Sequence, residues 1–320
     1  MVDTVQIRQC TPEEAKLCFY EWAKEEQWNP GLDGAEVQQV FYPSDSQGFF
    51  VGCIEDPDTP GKEKIVSAIS AVRYGLDSGW VGFYIVDSKE RGKGYGISIF
   101  KHAIKHMGDR PHIGLDAVIQ QVPNYEKSGF TGVWENQRRA GSIDNVISKL
   151  SSYESLTNVS YSNLCDVPID QINDLEVRYN GITRPEFIQN WVTFHSNCER
   201  LGRFGYALID QGRIVGYGCA RAATTSFRVG PIFAESPDSA KALLLQLAKS
   251  VKLIMAVPNQ ISSSVKPNFE VDICAANSRA VTLFDSLDMP NSFPSIRMWK
   301  GQPPKVDIDG IYGLSTLELG

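Results

Sequence analysis

The stretch from Phe83 to Gly96 most narrows what this chain can fold into. An apolar, β-branched run ending at Val86 reads as a strand, and Ile97 to Met107 repeats apolar side chains at helical spacing. Between them lies Arg91-Gly92-Lys93-Gly94-Tyr95-Gly96, with glycine at every second position. Glycine enters left-handed conformations without steric cost, so such a turn curls and points successive N–H groups into one concavity. The following helix adds its unpaired first-turn donors and the positive end of its dipole. A nest of this kind binds pyrophosphate, and Arg91 and Lys93 add charge-assisted contacts. The dinucleotide pattern Gly-x-Gly-x-x-Gly fails because position 97 is Ile, and a P-loop fails for want of Ser or Thr after Gly-Lys.

The elements around this turn predict a mixed α/β (α+β) fold built twice. Thr11-Pro12-Glu13-Glu14 is a capping box that starts an amphipathic helix running to about Glu26. Residues 48–54, 65–74 and 80–86 read as strands, separated by turn-rich stretches that suit antiparallel neighbours. A short strand over 113–119 and a helix-and-turn segment over 124–130 complete the first half. The second half repeats the order, with helical segments over 169–178 and 185–194 and strands over 205–210, 213–222 and 226–233. A helix over 239–251, a strand near 269–274 and a helix over 278–287 follow. With 320 residues, two domains are expected. We place the first at 1–140, a polar linker at 141–160, the second at 161–301 and a Pro/Gly-containing tail at 302–320.

Downstream of the glycine turn stands Asn124-Tyr125-Glu126-Lys127-Ser128-Gly129-Phe130. Together with Arg-x-x-Gly-x-Gly between strand and helix, this block resembles the GNAT superfamily of N-acetyltransferases. The Trp28-Asn29-Pro30-Gly31 loop and the strand end Ser70 to Gly75 are similar to a subgroup of tandem GNAT proteins with an intact first domain and a degenerate second one. The resemblance covers most of residues 20–140 and, more loosely, 205–301. It implies a mixed, mostly antiparallel sheet in each domain, splayed where acetyl-CoA enters. The implied reaction is direct transfer of an acetyl group to an acceptor within a ternary complex. The expected acceptor is a primary amine on a small molecule, with a protein lysine or N-terminus as the second choice. Arg91, Gly92, Lys93, Gly94, Tyr95 and Gly96 would then hold the pyrophosphate. Tyr84, Ile85 and Val86 would offer backbone groups to the pantetheine arm. Tyr125 would protonate the departing thiolate, a role suited to a phenol because its pKa lies near that of a thiol. Here the sequence departs from the common GNAT pattern, which has Asn seven residues before that tyrosine; this chain has Val118. Trp28, Asp33, Tyr74 and Asp116 are candidates for the acceptor pocket, and Asp33, Glu90 and Asp116 for the general base. A non-catalytic acyl-CoA-binding or regulatory protein is the alternative reading.

In the second half, Glu235-Ser236-Pro237-Asp238 stands where the phosphate loop belongs. Its carboxylates repel phosphate and Pro237 removes an N–H donor. Asn277 to Phe284 resembles the GNAT helix that carries the tyrosine, with Phe284 in its place. We therefore expect a single cofactor site, in the first domain.

Bulk composition excludes other classes. The formal net charge of -7, without a basic stripe, argues against nucleic acid. Seven scattered cysteines, none in Cys-x-x-Cys spacing, argue against a disulfide framework or a zinc knuckle. His102 and His106 lie four apart on one helix without a third ligand, so no metal is expected. Residues 1–16 lack the apolar core of a leader, and no apolar run approaches membrane-spanning length. The expectation is a cytoplasmic monomer or homodimer whose partners are acetyl-CoA and an amine.

Overall fold

The computed structural model describes residues 5–155, 159–196 and 198–320. Residues 156–158 of the expected linker lie outside them. The capping box forms as read: the Thr11 hydroxyl accepts from the Glu14 N–H at 3.3 Å, and the Glu14 carboxylate accepts from the Thr11 N–H at 2.8 Å. The helix it starts, Pro12–Lys16, passes through a π-turn at Leu17–Glu21 into Trp22–Glu25.

The first half contributes β1 (Gln6–Gln9), β2 (Phe49–Glu55), β3 (Glu63–Tyr74), β4 (Ser78–Val86), β5 (His112–Val118) and β6 (Phe130–Ser142). The second contributes β7 (Val159–Asn163), β8 (Arg203–Asp210), β9 (Arg213–Ala222), β10 (Phe227–Ala234), β11 (Asn268–Cys274), β12 (Asn291–Gly301) and β13 (Ile311–Gly313). They join in one sheet of order β1-β2-β3-β4-β5-β12-β6-β11-β10-β9-β8-β7, with β13 paired to β10. The neighbours are antiparallel except for β4 with β5 and β10 with β11.

The order shows an exchange. β12 of the second half lies against β5, while β6 of the first half lies between β12 and β11. Neither half closes its own sheet, so segments 1–140 and 161–301 are not separate bodies along the chain. Residues 302–320 are not an appended tail either: they carry β13, and Leu319 is fully buried. The expected linker holds the helix Ile143–Leu150, which packs on the long helix Pro237–Met255.

Helix Tyr95–Met107 covers β3 and β4, burying Ile99, Phe100, Ala103 and Met107. Helix Pro237–Met255 plays the same part over β8, β9 and β10. On the opposite face the helical segments of both halves share one core, in which the Phe41 and Trp191 rings stack at 6.4 Å. Full burial of a large apolar side chain contributes on the order of 1.5–3 kcal/mol, so this core binds the halves strongly.

Buried charges tie the exchanged strands. Arg138 on β6 grips Asp272 on β11 with two bonds, at 2.8 and 3.0 Å. Arg228 on β10 donates to the same carboxylate and, at 2.9 Å, to Glu318 near the C-terminal end. Burial pushes the Asp272 carboxyl up, but Arg138 and Arg228 outweigh it and hold it at about 2. For Glu318 burial again works upward, and Arg228 with the Thr316 hydroxyl brings it to about 2. Both folded values lie below the unfolded carboxylate value of about 4. Their stabilisation is therefore complete above that value and lost as pH falls through it toward 2. Urea titrations between pH 7 and 2.5 should show a steep loss of stability below about pH 4. Asp272→Asn should be less stable by about 3–5 kcal/mol at pH 7, with a shallower fall in acid.

Candidate functional site

β4 and β5 pair in parallel only over Ser78–Trp80 and His112–Gly114. At the last register, the Trp80 and Trp299 rings meet edge-on at 5.5 Å beside Gly114, where a Cβ would lie 2.3 Å from Trp80. Beyond that point the strands part. The gap is a cavity of about 440 Å³ lined by Val81 to Val86 on one side and by Leu115, Asp116 and Val118 on the other.

A bulge in β4 shapes the cavity wall. Ile85 opposes Ala68 and Gly82 opposes Ser70, so Phe83 and Tyr84 together face Ile69. Phe83 takes φ 46°, a left-handed value uncommon for a bulky residue. Outliers of this kind persist where the surroundings impose them, and they cluster at functional sites. Here the bulge resets the alternation of the strand. Phe83 turns into the shared core against Phe19 and Phe41, while Tyr84 stays with Val81 on the face beneath helix Tyr95–Met107. Past Trp80, the β5-facing backbone groups of β4 have no ladder partner.

The glycine turn follows directly. Gly92 and Gly94 adopt φ 82° and 87°, and space is open where their side chains would be. Gly96 is required for another reason: a Cβ there would lie 2.6 Å from the Tyr84 hydroxyl. Arg91 bonds the Val86 carbonyl at 3.0 Å and the Glu26 carboxylate, which places its guanidinium at the cavity rim. Lys93 reaches Glu90 at 2.6 Å. The Tyr95 side chain packs with Ile54 and Val66, so only its backbone faces the turn. Open left-handed glycines, first-turn N–H groups and two adjacent cations fit a pyrophosphate, and the parted strands behind them fit an extended amide-bearing arm.

Tyr125 sits on the short helix Val122–Glu126, in an aromatic row with Phe100 and Phe130 at 5.6 and 6.2 Å. Its ring lines the cavity, and its hydroxyl has no hydrogen-bond partner among the described residues. Burial raises its pKa above that of an ordinary phenol, with Tyr84 adding to the effect, so it remains protonated at neutral pH. Burial also raises Tyr84, to about 12.

The four acceptor-pocket candidates separate. Trp28 lines the cavity, and its carbonyl accepts from Arg138 at 3.2 Å. Asp116 lines it too, but Arg297 holds its two oxygens at 3.0 and 2.7 Å and Asn136 adds a bond at 2.7 Å. This carboxylate is a structural ion pair and not a free base. Asp33 lies elsewhere, in a cleft between the halves with Lys24 and Arg203. Tyr74 is buried away from the cavity, its hydroxyl donating to the Leu319 carbonyl at 2.9 Å. Glu90 is held below the usual carboxylate range by Lys64 and then Lys93, and is not among the cavity residues. His102 and His106 stand edge-on against Phe50, and no metal-ligand cluster occurs among the described residues.

Among the lining residues that escaped the sequence reading are Arg138, Phe293, Ser295, Leu317 and Glu318. The adjacent arginines 138 and 139 inside a strand were the available signal for the first. The others arrive through the exchanged β12 and the C-terminal segment, which nothing local predicts.

With this geometry, comparisons become informative. Residues 9–145 match one model of the acetyltransferase (GNAT) domain and residues 172–313 match another. Between them they account for most of the chain. It belongs to the GNAT acetyltransferases, as a tandem protein. Members of this family bind acyl-CoA, generally acetyl-CoA, together with an acceptor, and the chemistry is acyl transfer. The chain is 26% identical over 304 residues to the holothin acyltransferase of Pseudoalteromonas sp. (strain SANK 73390), covering 94% of this chain and 90% of that one. Its fold is that of a Pyrococcus horikoshii chain assigned as an acetyltransferase, with TM-score 0.73 and 18% identity over 99% of this chain and 96% of that one. A tandem GNAT protein from the clavulanic acid biosynthesis pathway also shares it, with TM-score 0.60 and 14% identity over 95% and 100%.

Since nothing in the protein occupies the space beside Gly94, a side chain there would meet no protein atom and would obstruct a ligand. The added cost is a left-handed φ that aspartate tolerates better than most residues. Gly94→Asp should abolish acetyl-CoA binding by calorimetry, with a change in melting temperature of only a few degrees. Full binding by this variant would remove the glycine turn from the site.

Proposed function

We propose that this protein is an acetyl-CoA-dependent N-acetyltransferase acting on a primary amine of a small molecule. One observation carries the reading: Tyr125 lines the same parted-strand cavity as β4, with Arg91 of the glycine turn at its rim. The amine nitrogen attacks the thioester carbonyl, forming the C–N bond. The C–S bond then breaks, and Tyr125 gives its proton to the leaving sulfur. The surplus proton of the cationic nitrogen passes to solvent water, from which the phenolate is reprotonated. A backbone N–H of β4 beyond Trp80, where the strand has no ladder partner on β5, would steady the oxyanion. A cavity of about 440 Å³ suits a discrete amine better than a protein chain. A cytoplasmic setting fits, with no helix among the described residues long and apolar enough to cross a membrane.

We further propose one acyl-CoA per chain. β10 and β11 repeat the short parallel contact, Phe227–Val229 with Phe269–Val271, but β13 enters the gap beyond it. The second half's helix N-terminus is already capped by Ser236, and Glu235 before it is bound to Arg213.

The non-catalytic alternative predicts binding without turnover. Purified protein supplied with acetyl-CoA and a panel of primary amines should release free thiol with at least one amine. Thiol release with none, despite binding, would favour the alternative. Tyr125→Phe should lower kcat by about 10²-fold or more, in line with the loss of a general acid, and leave the Kd for acetyl-CoA unchanged. Titration calorimetry should give a stoichiometry of one per chain; two would mean that β13 yields to ligand.

A further inference from the structure

We propose that Asn29 is a positioning residue, through which the second half fixes the loop that brings Trp28 to the acceptor side of the cavity. The inference rests on the acetyl-transfer reading of that cavity.

Trp28 is flanked by two non-glycine residues in the left-handed region, Gln27 at φ 61° and Asn29 at φ 55°. Asparagine tolerates this conformation, whereas glutamine has no such preference. Local sequence therefore does not hold the loop in this shape, and its surroundings must. The surroundings are the β9–β10 turn of the second half. Asn29 is only 5% exposed. Its side-chain oxygen accepts from the Thr225 N–H and the Thr224 hydroxyl, each at 3.0 Å. Its side-chain nitrogen donates to the Ser226 hydroxyl at 2.8 Å, which in turn donates to Glu270 at 2.8 Å. The neighbouring backbone joins in: the Pro30 carbonyl accepts from the Thr224 N–H at 3.1 Å, and Gly31 bridges to Ala223.

Trp28 is thus held at three points. Its N–H donates to the Ala23 carbonyl at 2.9 Å, its carbonyl accepts from Arg138, and its successor is locked to the turn. Trp28 is left lining the cavity. The same loop starts at Glu26, the partner of Arg91 at the glycine turn, with left-handed Gln27 between the two contacts. A tether at Asn29 therefore sets the acceptor wall through Trp28, while Glu26, held at the end of its own helix, keeps its separate contact with Arg91. In this arrangement the second half, which holds no cofactor in the proposed function, defines which amine fits.

The test compares Asn29→Ala, which removes the tether and is strained at this φ, with Asn29→Asp, which keeps both accepting bonds and tolerates the left-handed region. For Asn29→Ala, amide hydrogen exchange over residues 26–34 and 223–226 should quicken about tenfold or more, while the central strands keep their protection. The acceptor KM should rise about tenfold, with kcat and the Kd for acetyl-CoA within about threefold of wild type. Asn29→Asp should restore most of the KM. Unchanged exchange and KM in the alanine variant would overturn the proposal. So would a uniform rise in exchange across the whole sheet with kcat and KM impaired together, which marks a purely structural role. Should Asn29→Ala fail to fold, Asn29→Gly removes the same side chain without backbone strain and carries the same readings. If wild-type protein transfers acetyl to no amine, the acetyltransferase reading fails, and the exchange measurement alone still decides whether Asn29 clamps the loop.

Discussion

Two parallel strands that separate after three paired residues set facing rows of N–H and C=O groups across a gap. Such groups demand partners, because a buried, unpaired backbone donor or acceptor is costly. The molecule meets the demand in two ways. Beyond Trp80 and Gly114 the gap remains a cavity, available to a ligand with its own amides. Beyond Val229 and Val271 the chain supplies β13, and the Leu314 N–H reaches the Asp272 carbonyl at 2.7 Å. Gly230 is needed for this insertion, since a Cβ there would lie 2.1 Å from the Leu314 carbonyl oxygen. Near-identical strand geometry thus has two outcomes, decided by the path of residues 302–320.

That path also ties the two GNAT domains to each other. After closing the second gap, the chain crosses to the first, where Trp80 donates to the Leu317 carbonyl at 3.1 Å and Tyr74 to that of Leu319. With β6 and β12 exchanged, the C-terminal part of each half is anchored in the other, while β1 and β7 stay at the outer edges of the sheet. The arginine–carboxylate pairs along the seam are directional, unlike apolar contacts, and each sits at one strand register: Arg297 with Asp116 across β12 and β5, Arg138 with Asp272 across β6 and β11. Buried pairs add little net stability over apolar packing, but a shifted register would strand them unpaired. Their role here is to specify the exchange.

What the sequence made legible was local. The glycine turn, the helix after it, the capping box at Thr11 and the aromatic turn at Tyr125 are each written within a dozen residues, and each stands where periodicity and turn chemistry put it. Trp28 also reached the cavity. Asp33 did not, because its left-handed φ of 61° follows a loop whose course is dictated by the second half. Tyr74 follows β3 past the point where the strands part, and the C-terminal segment covers it. Asp116 was placed correctly on its strand, but its partner Arg297 lies 181 positions away and arrives only through the exchange. Pairings of such sequence separation leave no periodic trace, so polar residues of β12 and the C-terminal segment read as edge and tail.

These distant partners settle the electrostatic character of the cavity. Three carboxylates line it, and each is bound by an arginine: Glu26 by Arg91, Asp116 by Arg297 and Glu318 by Arg228. The fields of such close pairs largely cancel, so the wall presents little net negative charge despite its composition and despite the net charge of the whole chain. For the proposed reaction this matters at the nucleophile. An ammonium ion would have to leave water for a cavity that offers it no unpaired carboxylate, whereas a neutral amine brings only a lone pair and a small desolvation cost. The groups facing it are then a neutral phenol, whose pKa burial holds high, and the backbone dipoles of a bulged strand. In the proposed reaction both would act on the leaving thiolate and the oxyanion, where charge develops, and not on the amine. Discrimination between protonated and neutral acceptors thus falls to the ion pairs, two of which, Asp116 with Arg297 and Glu318 with Arg228, depend on the second half of the chain.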